Sequence, residues 1–454
     1  MSKFVRLMCL MLCLCLVAVS GLSEQSADIN CESALRERAG TLLRFIREGD
    51  EEAALLMMDD TMRKALAGQI GAMWSQLAAV GGAYEGTGEA QTLSQDGFDV
   101  VLLELRFKNL TLIQRAVFDA QGKVAGLFFA PGSLTPQSPE QNGEEEHVNE
   151  ISLTVDAGEG YPLDALLTLP DGEVKAGIVL VQGSGPSDKD ESIGGNAPFR
   201  DLANGLAVQG IASLRYDKRS YAHGKKMTEE EGYPRLTVDE ETVDDAAAAL
   251  SLLRERPELA GRPVWLLGHS LGAMLASYIG SKAGAPDGYI LLAGSPRKLW
   301  EVSLEQNLAI AGAYEAAGDT ASAEAVRGIV AAEQEKANAM DSLADDDTVF
   351  GLPVPYQRHL QGIDAAALHL MDGKPVLVLQ GERDKQVSMD DFILWQEKLK
   401  DHPAAEFISY PALNHLFGDY QGEPVTLMNI AAEYAARTPV DGQVILDIAA
   451  FILK

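Results

Sequence analysis

An apolar run passes directly into a glycine-flanked serine in the sequence VWLLGHSLG, residues 264–272. The first four residues are typical of a buried strand, and the stretch after the motif has a helical pattern. A Gly-x-Ser-x-Gly sequence between a strand and a helix forms a strained turn that raises the serine hydroxyl above a sheet. Gly268 and Gly272 leave room there for neighbouring backbone. The sequence therefore predicts Ser270 as a nucleophile, and a purely structural glycine-rich turn is the alternative.

Short apolar runs alternate with helical patterns around this motif. Five further runs have this character: Gly177–Gln182, Ile211–Tyr216, Tyr289–Ala293, Val376–Gln380 and Phe407–Tyr410. Continuous apolar strands separated by helices predict an α/β fold, in which a mostly parallel sheet carries helices on both faces. Ile151–Val155 and Leu163–Leu169 predict a hairpin before this sheet. A long stretch rich in alanine and glutamate predicts a helical cap insertion at about residues 296–374.

A serine hydroxyl is a weak nucleophile and needs a general base that a third group orients. In a sheet of this kind those partners follow the serine on loops after later strands, the acid first. Asp384 and His415 follow the last two predicted strands. We therefore expect His415 to accept the proton of Ser270 and Asp384 to orient the imidazole. Three nearby carboxylates remain alternatives for the acid: Glu382, Asp390 and Asp391. His269 is expected to be packed or hydrogen-bonded rather than catalytic.

Acyl transfer also needs N–H donors for the oxyanion that develops on the substrate. One donor is expected to be the backbone N–H of Leu271, directly after the nucleophile. The other is expected in the loop QGSGP, residues 182–186, where the backbone N–H of Ser184 is the best placed. An ordinary strand–helix turn is the alternative for this loop. The sequence thus predicts an oxyanion hole made by two backbone groups.

A charged stretch, Tyr216-Asp217-Lys218-Arg219, ends another predicted strand. It has two interpretations, a place at the rim of the pocket or a structural role in a loop. We favour the structural role, with an ion pair between Asp217 and Arg219 that fixes the loop.

Residues 31–130 have a pattern of their own, with two helical stretches followed by three β-like runs. This order predicts a small α+β domain without a recognisable catalytic group. Residues 131–149 are rich in proline, serine, glutamine and acidic side chains and predict a linker. Residues 150–454 would then form the catalytic domain.

The chain begins with features of an export signal over residues 1–23. Lys3 and Arg6 precede an apolar run, Leu7–Val19, which small residues follow. The run is short for a bilayer span, so we expect cleavage and a secreted or cell-surface protein with no stable membrane span, and a retained anchor is the alternative.

Composition excludes several kinds of partner. The formal net charge is −30, and a field of this sign repels nucleic acid and anionic lipid headgroups. Cys31 is the one cysteine after the predicted signal, so no internal disulfide is expected. No Cys/His cluster has the spacing of a structural zinc site. We therefore predict neither a metal nor a cofactor.

These stretches together resemble the secreted bacterial α/β-hydrolases of the esterase and serine aminopeptidase-like type, which are related to prolyl-oligopeptidase-like hydrolases. The resemblance is carried by Gly183–Asp188, Tyr216–Arg219, Gly268–Gly272, Gly381–Asp384 and Asn414-His415. It spans roughly residues 150 to 454 and implies the α/β-hydrolase fold and carboxylesterase-type activity without a cofactor. In layout, the first domain resembles the small α+β module that often precedes such hydrolases.

Two residues depart from the family pattern. Lys189 occupies a position where related proteins often have arginine, and Ser220 one where they often have glycine. Ser220 implies a stiffer loop at the pocket. The expected function is a serine hydrolase that cleaves small-molecule carboxylic esters of short to medium acyl chains through an acyl-enzyme on Ser270. A serine peptidase or amidase using the same residues is one alternative, and a non-catalytic cell-surface binding module on a hydrolase core is the other.

Overall fold

The computed structural model describes residues 29–95, 98–108, 111–119, 121–131, 134, 149–158, 160–229, 235–428 and 430–454. The predicted export signal, residues 1–23, and nearly all of the predicted linker, 131–149, lie outside the described residues. The described chain forms two compact units. Residues 430–437, which fall inside the predicted catalytic segment, group with the N-terminal unit, and the rest of residues 149–454 form the larger unit.

The smaller unit has four consecutive helices and a four-stranded antiparallel sheet. Its elements are α1 (Ile29–Glu48), α2 (Glu51–Leu56), α3 (Asp60–Leu66), α4 (Ile70–Gly81), β1 (Tyr84–Gln95), β2 (Phe98–Phe107), β3 (Thr111–Phe118) and β4 (Val124–Pro131). Leu35, Ala39, Leu42 and Ile46 form the buried face of α1 and pack against the sheet. Neither α4 nor β1 was predicted from the sequence. Strand β1 reads YEGTGEAQTLSQ, which has too few apolar residues to show an alternating pattern.

The larger unit is built on an eight-stranded sheet. Its strands are β5 (Asn149–Val155), β6 (Leu163–Leu169), β7 (Ala176–Val181), β8 (Ile211–Tyr216), β9 (Val264–His269), β10 (Tyr289–Leu292), β13 (Val376–Gly381) and β14 (Ala405–Tyr410), with β11 (Thr348–Val349) and β12 (Leu352–Pro353) forming a separate small hairpin. The order across the sheet is β14-β13-β10-β9-β7-β8-β6-β5. Neighbours from β14 to β8 are parallel, and β6 and β5 are antiparallel additions at one edge.

Helices cover both faces of this sheet. Among the described residues, the α-helices of the larger unit are α5 (Pro198–Val208), α6 (Arg219–Ala222), α7 (Gly224–Glu229), α8 (Asp244–Arg254), α9 (Leu271–Ala283), α10 (Leu299–Ala316), α11 (Thr320–Asn338), α12 (Val354–Gln361), α13 (Ala365–Asp372), α14 (Met389–Lys398) and α16 (Gly442–Ile452), while α15 (Ile430–Ala435) belongs to the smaller unit. In β7, Val179 and Val181 join one apolar cluster with α8 and α9, while Ile178 and Leu180 join another with α5 and α16. Since both of its faces are covered, β7, AGIVLV, is apolar throughout. The predicted sheet with helices on both faces is confirmed.

The segment between β10 and β13, where the sequence predicts a cap, contains four helices and the β11–β12 hairpin. Its first part has small apolar clusters of its own, one of them formed by Ala311, Val326 and Val330. The last part of the segment packs on the sheet instead, because Leu360 and Ala366 belong to the same apolar cluster as the central strands. Among the described residues, no helix is both long and apolar enough to cross a membrane.

Candidate active site

Ser270 lies at the carboxyl end of β9, in the turn that leads into α9. Its backbone has φ 53° and ψ −114°, a combination that L residues rarely adopt. The glycines on either side are required sterically: a Cβ on Gly268 would lie 2.2 Å from the Gly272 carbonyl oxygen, and one on Gly272 would lie 2.3 Å from the Val181 carbonyl oxygen. The turn therefore brings α9 against the end of β7 and leaves Ser270 partly exposed.

Asp384 and His415 lie on the loops after β13 and β14 and contact each other. His415 Nδ1 is 2.7 Å from Asp384 Oδ2, and both side chains are buried. The second carboxylate oxygen, Oδ1, accepts hydrogen bonds from the N–H groups of Gln386 and Val387, and Gln380 Nε2 donates to Oδ2. Three donors besides the imidazole thus fix the carboxylate of Asp384.

The three alternative acids have other surroundings. Glu382 is exposed and accepts a hydrogen bond from Ser409 Oγ. Asp391 is buried, but it binds Arg297 and Ser295. For Asp390, as for these two, no contact with His415 is found among the described residues. Asp384 is therefore the carboxylate that can orient His415.

The side chain of Asn414 holds the loop that carries His415. Asn414 Oδ1 accepts hydrogen bonds from the N–H groups of Leu416 and Gly418, each at 3.0 Å. The loop passes close to the end of β13, where a Cβ on Gly381 would lie 2.4 Å from the Leu413 carbonyl oxygen. This close approach is what brings His415 to Asp384.

Both predicted oxyanion residues, Ser184 and Leu271, line one cavity with Ser270. The cavity is small, about 40 Å³, and the loop after β13 closes one side of it through Val387. Within the described part of the chain, no acceptor is found for the backbone N–H of Ser184 or Leu271. These two donors are therefore available to a group bound beside Ser270.

Residues 178–425, more than half of the 454-residue chain, match a family described as Alpha/beta hydrolase family. The chain belongs to the α/β-hydrolase family. The predicted fold is confirmed, and the chain is an enzyme, a hydrolase, so the alternative of a non-catalytic binding module is set aside. In the smaller unit, residues 39–127 match a family described as Protein of unknown function (DUF3887).

The hydrolase is 29% identical to Esterase EstD of Thermotoga maritima over 423 residues, which are 93% of this chain and 96% of that protein. Two solved structures are more distant in sequence. Est1E from Butyrivibrio proteoclasticus is 15% identical, with a TM-score of 0.40, over 66% of this chain and 99% of its own. The Pyrococcus furiosus esterase PF2001 is 16% identical, with a TM-score of 0.38, over 59% of this chain and 83% of its own.

In the charged stretch Tyr216–Arg219, the predicted ion pair between Asp217 and Arg219 does not form. Asp217 binds Lys189 instead, with 3.1 Å between Oδ1 and the Lys189 ammonium. Arg219 forms a bidentate ion pair with the buried Asp245, with 3.0 Å between Nε and Oδ2 and 2.7 Å between Nη2 and Oδ1. The structural role of the stretch stands, but the predicted Asp217–Arg219 pair is wrong. The partners lie on other elements, so sequence proximity was a poor guide to them.

Glu191 is a buried glutamate that was not predicted from the sequence to lie at the site. Its Oε1 accepts a hydrogen bond from the Gly183 N–H at 2.7 Å and lies 3.0 Å from His269 Nδ1. The other ring nitrogen of His269, Nε2, lies 3.0 Å from the His415 carbonyl oxygen. Glu191 belongs to the charged run Asp188-Lys189-Asp190-Glu191, and nothing local to that run distinguishes its buried member.

The ring of His269 has two acceptors as partners, so it satisfies both of them as a cation. Burial alone would lower the pKa of His269, but the Glu191 carboxylate, the His415 carbonyl and Asp384 together outweigh burial and raise the pKa above its ordinary value. The expectation that His269 is hydrogen-bonded agrees with this geometry. The His269–Glu191 pair connects the loop after β7 with the loop that carries His415.

Proposed function

We propose that this α/β-hydrolase is a serine carboxylesterase with Ser270 as nucleophile, His415 as general base and Asp384 as the group that orients the base. The observation that carries the proposal is the 2.7 Å contact between His415 and Asp384 at the same sheet edge as the strained Ser270 turn. Two further observations support the proposal. The serine, the acid and the histidine follow one another along the chain in that order, and the chain is similar to Esterase EstD.

In this mechanism, Ser270 Oγ attacks the ester carbonyl carbon while His415 Nε2 takes the hydroxyl proton. Asp384 holds the imidazole in position and stabilises its charged form. The N–H groups of Ser184 and Leu271 donate to the oxyanion of the tetrahedral intermediate. His415 then gives its proton to the departing alcohol, which leaves an acyl group on Ser270. A water molecule, deprotonated by His415, releases the carboxylic acid and restores the serine.

The cavity beside Ser270 favours small acyl groups. Its volume is about 40 Å³, and apolar side chains form much of its wall: Met274, Leu299, Val302 and Val387. Leu299 and Val302 lie on α10, the first helix after β10. We therefore propose that acetyl and butyryl esters are better substrates than long-chain esters.

Hydrolysis of p-nitrophenyl acetate, butyrate and octanoate, beside an alanyl p-nitroanilide, tests this function. We expect turnover of acetate and butyrate with kcat/KM at least about 10-fold above that for octanoate, since an acyl chain that does not fit loses binding in the transition state. The anilide should be a poor substrate, and Ser270→Ala should abolish all turnover. Faster turnover of the anilide than of every ester would instead favour the peptidase or amidase function.

We also propose that the protein is exported and processed near residue 23. The support is the sequence alone, in which Lys3 and Arg6 precede the apolar run Leu7–Val19. Expression of the full chain, followed by cell fractionation and N-terminal sequencing, tests the proposal. An extracellular product that starts after the apolar run is the expected result. A cell-bound product that keeps residues 1–19 would favour a retained anchor.

A further inference from the structure

Lys218 is a buried lysine that the triad mechanism does not use. Its side chain is 2% exposed, and it lies just after β8, the strand next to β7 in the sheet. The ammonium has two partners at the same distance. It is 2.8 Å from Glu241 Oε1 and donates a hydrogen bond to the Gly183 carbonyl oxygen at 2.8 Å.

The second contact fixes the peptide that carries a proposed oxyanion donor. The carbonyl of Gly183 and the N–H of Ser184 belong to one peptide unit, and among the described residues every peptide bond is trans. In a trans peptide the C=O and N–H groups point in opposite directions. Since the Gly183 carbonyl points at the Lys218 ammonium, the Ser184 N–H points away from it.

Gly183 is held from its other side as well. Its own N–H donates to Glu191 Oε1 at 2.7 Å. A Cβ on Gly183 would lie 3.1 Å from Ser270 Cβ, so the loop passes close to the nucleophile. The peptides before and after this glycine are thus each fixed by a buried charged group, Glu191 for one and Lys218 for the other.

We propose that Lys218 is a positioning residue for the oxyanion hole, which sets the direction of the Ser184 N–H through the Gly183 carbonyl. This role rests on the proposed serine esterase function. Donors that already point to the place where charge develops stabilise a transition state without reorganisation. An ammonium on the carbonyl oxygen also polarises the amide and strengthens the N–H as a donor.

The surroundings of Lys218 fit an orienting role. A buried ion pair is seldom a net source of stability, because both charges lose their hydration. Glu241 is itself held by hydroxyl groups, which donate from Ser220 at 3.1 Å, Thr242 at 2.5 Å and Tyr356 at 3.2 Å. These hydrogen bonds hold the Glu241 carboxylate in one position, and the carboxylate in turn holds the Lys218 ammonium against the Gly183 carbonyl.

Lys218→Met tests the role, because methionine keeps the apolar stem and removes the donor. We expect kcat for p-nitrophenyl butyrate to fall about 10- to 100-fold with KM changed less than about threefold, since an oxyanion donor acts mainly in the transition state. The affinity for an alkyl boronic acid, which forms a tetrahedral adduct on serine, should fall by a similar factor. Lys218→Arg should recover part of kcat, because its guanidinium can still donate to the Gly183 carbonyl.

Lys189→Met is the matched control, since Lys189 pairs with Asp217 and makes no contact with Gly183 among the described residues. It should keep wild-type kcat and boronate affinity. If Lys218→Met does not fold, Lys218→Met/Glu241→Gln removes the ion pair without leaving an unpaired charge and serves in its place. A folded variant with wild-type kcat and boronate affinity, or equal losses in the Lys189→Met control, would overturn the positioning role. An inactive wild type would instead overturn the proposed function.

Discussion

The ion pair between Glu191 and His269 joins residues that are 78 positions apart in the chain. It lies between the loop that carries Ser184 and the loop that carries His415, so its loss should affect both. Removing one member of such a buried pair leaves the other without compensation, which is destabilising. The pair also has a defined pH dependence, because the pKa of His269 is raised beside Glu191.

We expect Glu191→Gln to lower the free energy of unfolding by about 1–3 kcal/mol at pH 6, the range for a lost hydrogen bond to a charged group. A raised pKa of His269 stabilises the fold below the ordinary pKa of about 6.5, and this contribution disappears as pH rises through the raised pKa. The difference between wild type and variant should therefore be larger at pH 6 than at pH 9. Urea unfolding at the two pH values measures it.

Glu382→Gln is the control for that experiment, since this carboxylate is exposed at the same sheet edge. Its effect should stay within about 0.5 kcal/mol at either pH. A difference for Glu191→Gln that is constant from pH 6 to pH 9 would contradict a charged His269 in the folded state.

At the scale of elements, the packing of α9 against the end of β7 depends on Gly272. An alanine Cβ there would lie 2.3 Å from the Val181 carbonyl oxygen, a backbone atom in a central strand. Either the helix or the strand must shift, and Ser270 is attached to that helix. The same substitution in an open helix has no such obstacle.

Gly272→Ala should lower the free energy of unfolding by about 2–3 kcal/mol and reduce kcat/KM about 100-fold, because the nucleophile is displaced. Gly328→Ala is the matched control, since Gly328 lies in α11 with nothing within 4 Å of the added Cβ. It should raise stability by about 0.5–1 kcal/mol with full activity. Thermal unfolding and ester hydrolysis measure both effects, and equal behaviour of the two variants would contradict the steric role of Gly272.

Helix α13 contains the buried histidine His369, which lies edge-on to Tyr289 with ring centroids 4.7 Å apart. No hydrogen-bond partner for either ring nitrogen is found in the described part of the chain. Burial, with a smaller effect from His402, lowers the pKa of His369 to about 3. The helix is therefore packed around a neutral imidazole.

This packing predicts acid sensitivity. The unfolded chain binds a proton at this histidine below about pH 6.5, but the folded chain resists protonation until about pH 3. Stability is therefore lost as pH falls between these values. Relative to His369→Leu, the wild type should lose about 2 kcal/mol of unfolding free energy between pH 6 and pH 4.5. Urea unfolding of both proteins measures the change, and a difference independent of pH would contradict it.

The central elements were predictable from the sequence because burial on both faces leaves continuous apolar runs, as in β7, AGIVLV. The places of Ser270, Asp384 and His415 near the carboxyl ends of the strands were predictable for a related reason, since each lies one to five residues after such a strand. Strand β1 was missed because glycine and polar residues dominate it. Glu191 and Lys218 were missed because their roles depend on contacts between loops, and a charged residue in a loop gives no sign of burial.

At the scale of the whole molecule, charge is the dominant feature. The full chain has a formal net charge of −30, and loss of the predicted signal, with Lys3 and Arg6, makes it −32 (−30 minus 2). Acidic residues number 67 against 37 basic ones. Repulsion among like charges destabilises a compact state, and salt screens it.

We expect the thermal midpoint of the purified chain to rise by a few degrees between 0.01 and 0.3 M NaCl. The Debye length is about 30 Å at the lower concentration and below about 10 Å at the higher one. KCl should give the same rise, which would identify ionic strength as the cause. A midpoint that falls with salt would show that surface ion pairs outweigh the repulsion.

The most direct test of the whole account is reaction of the folded chain with a fluorophosphonate, followed by mass spectrometry of the intact protein and its peptides. We predict one adduct per chain, located on Ser270, with no adduct in Ser270→Ala and labelling at least about 100-fold slower in His415→Ala, where the general base is missing. An unlabelled wild type, or an adduct on another residue, would contradict the assignment of Ser270 as the nucleophile.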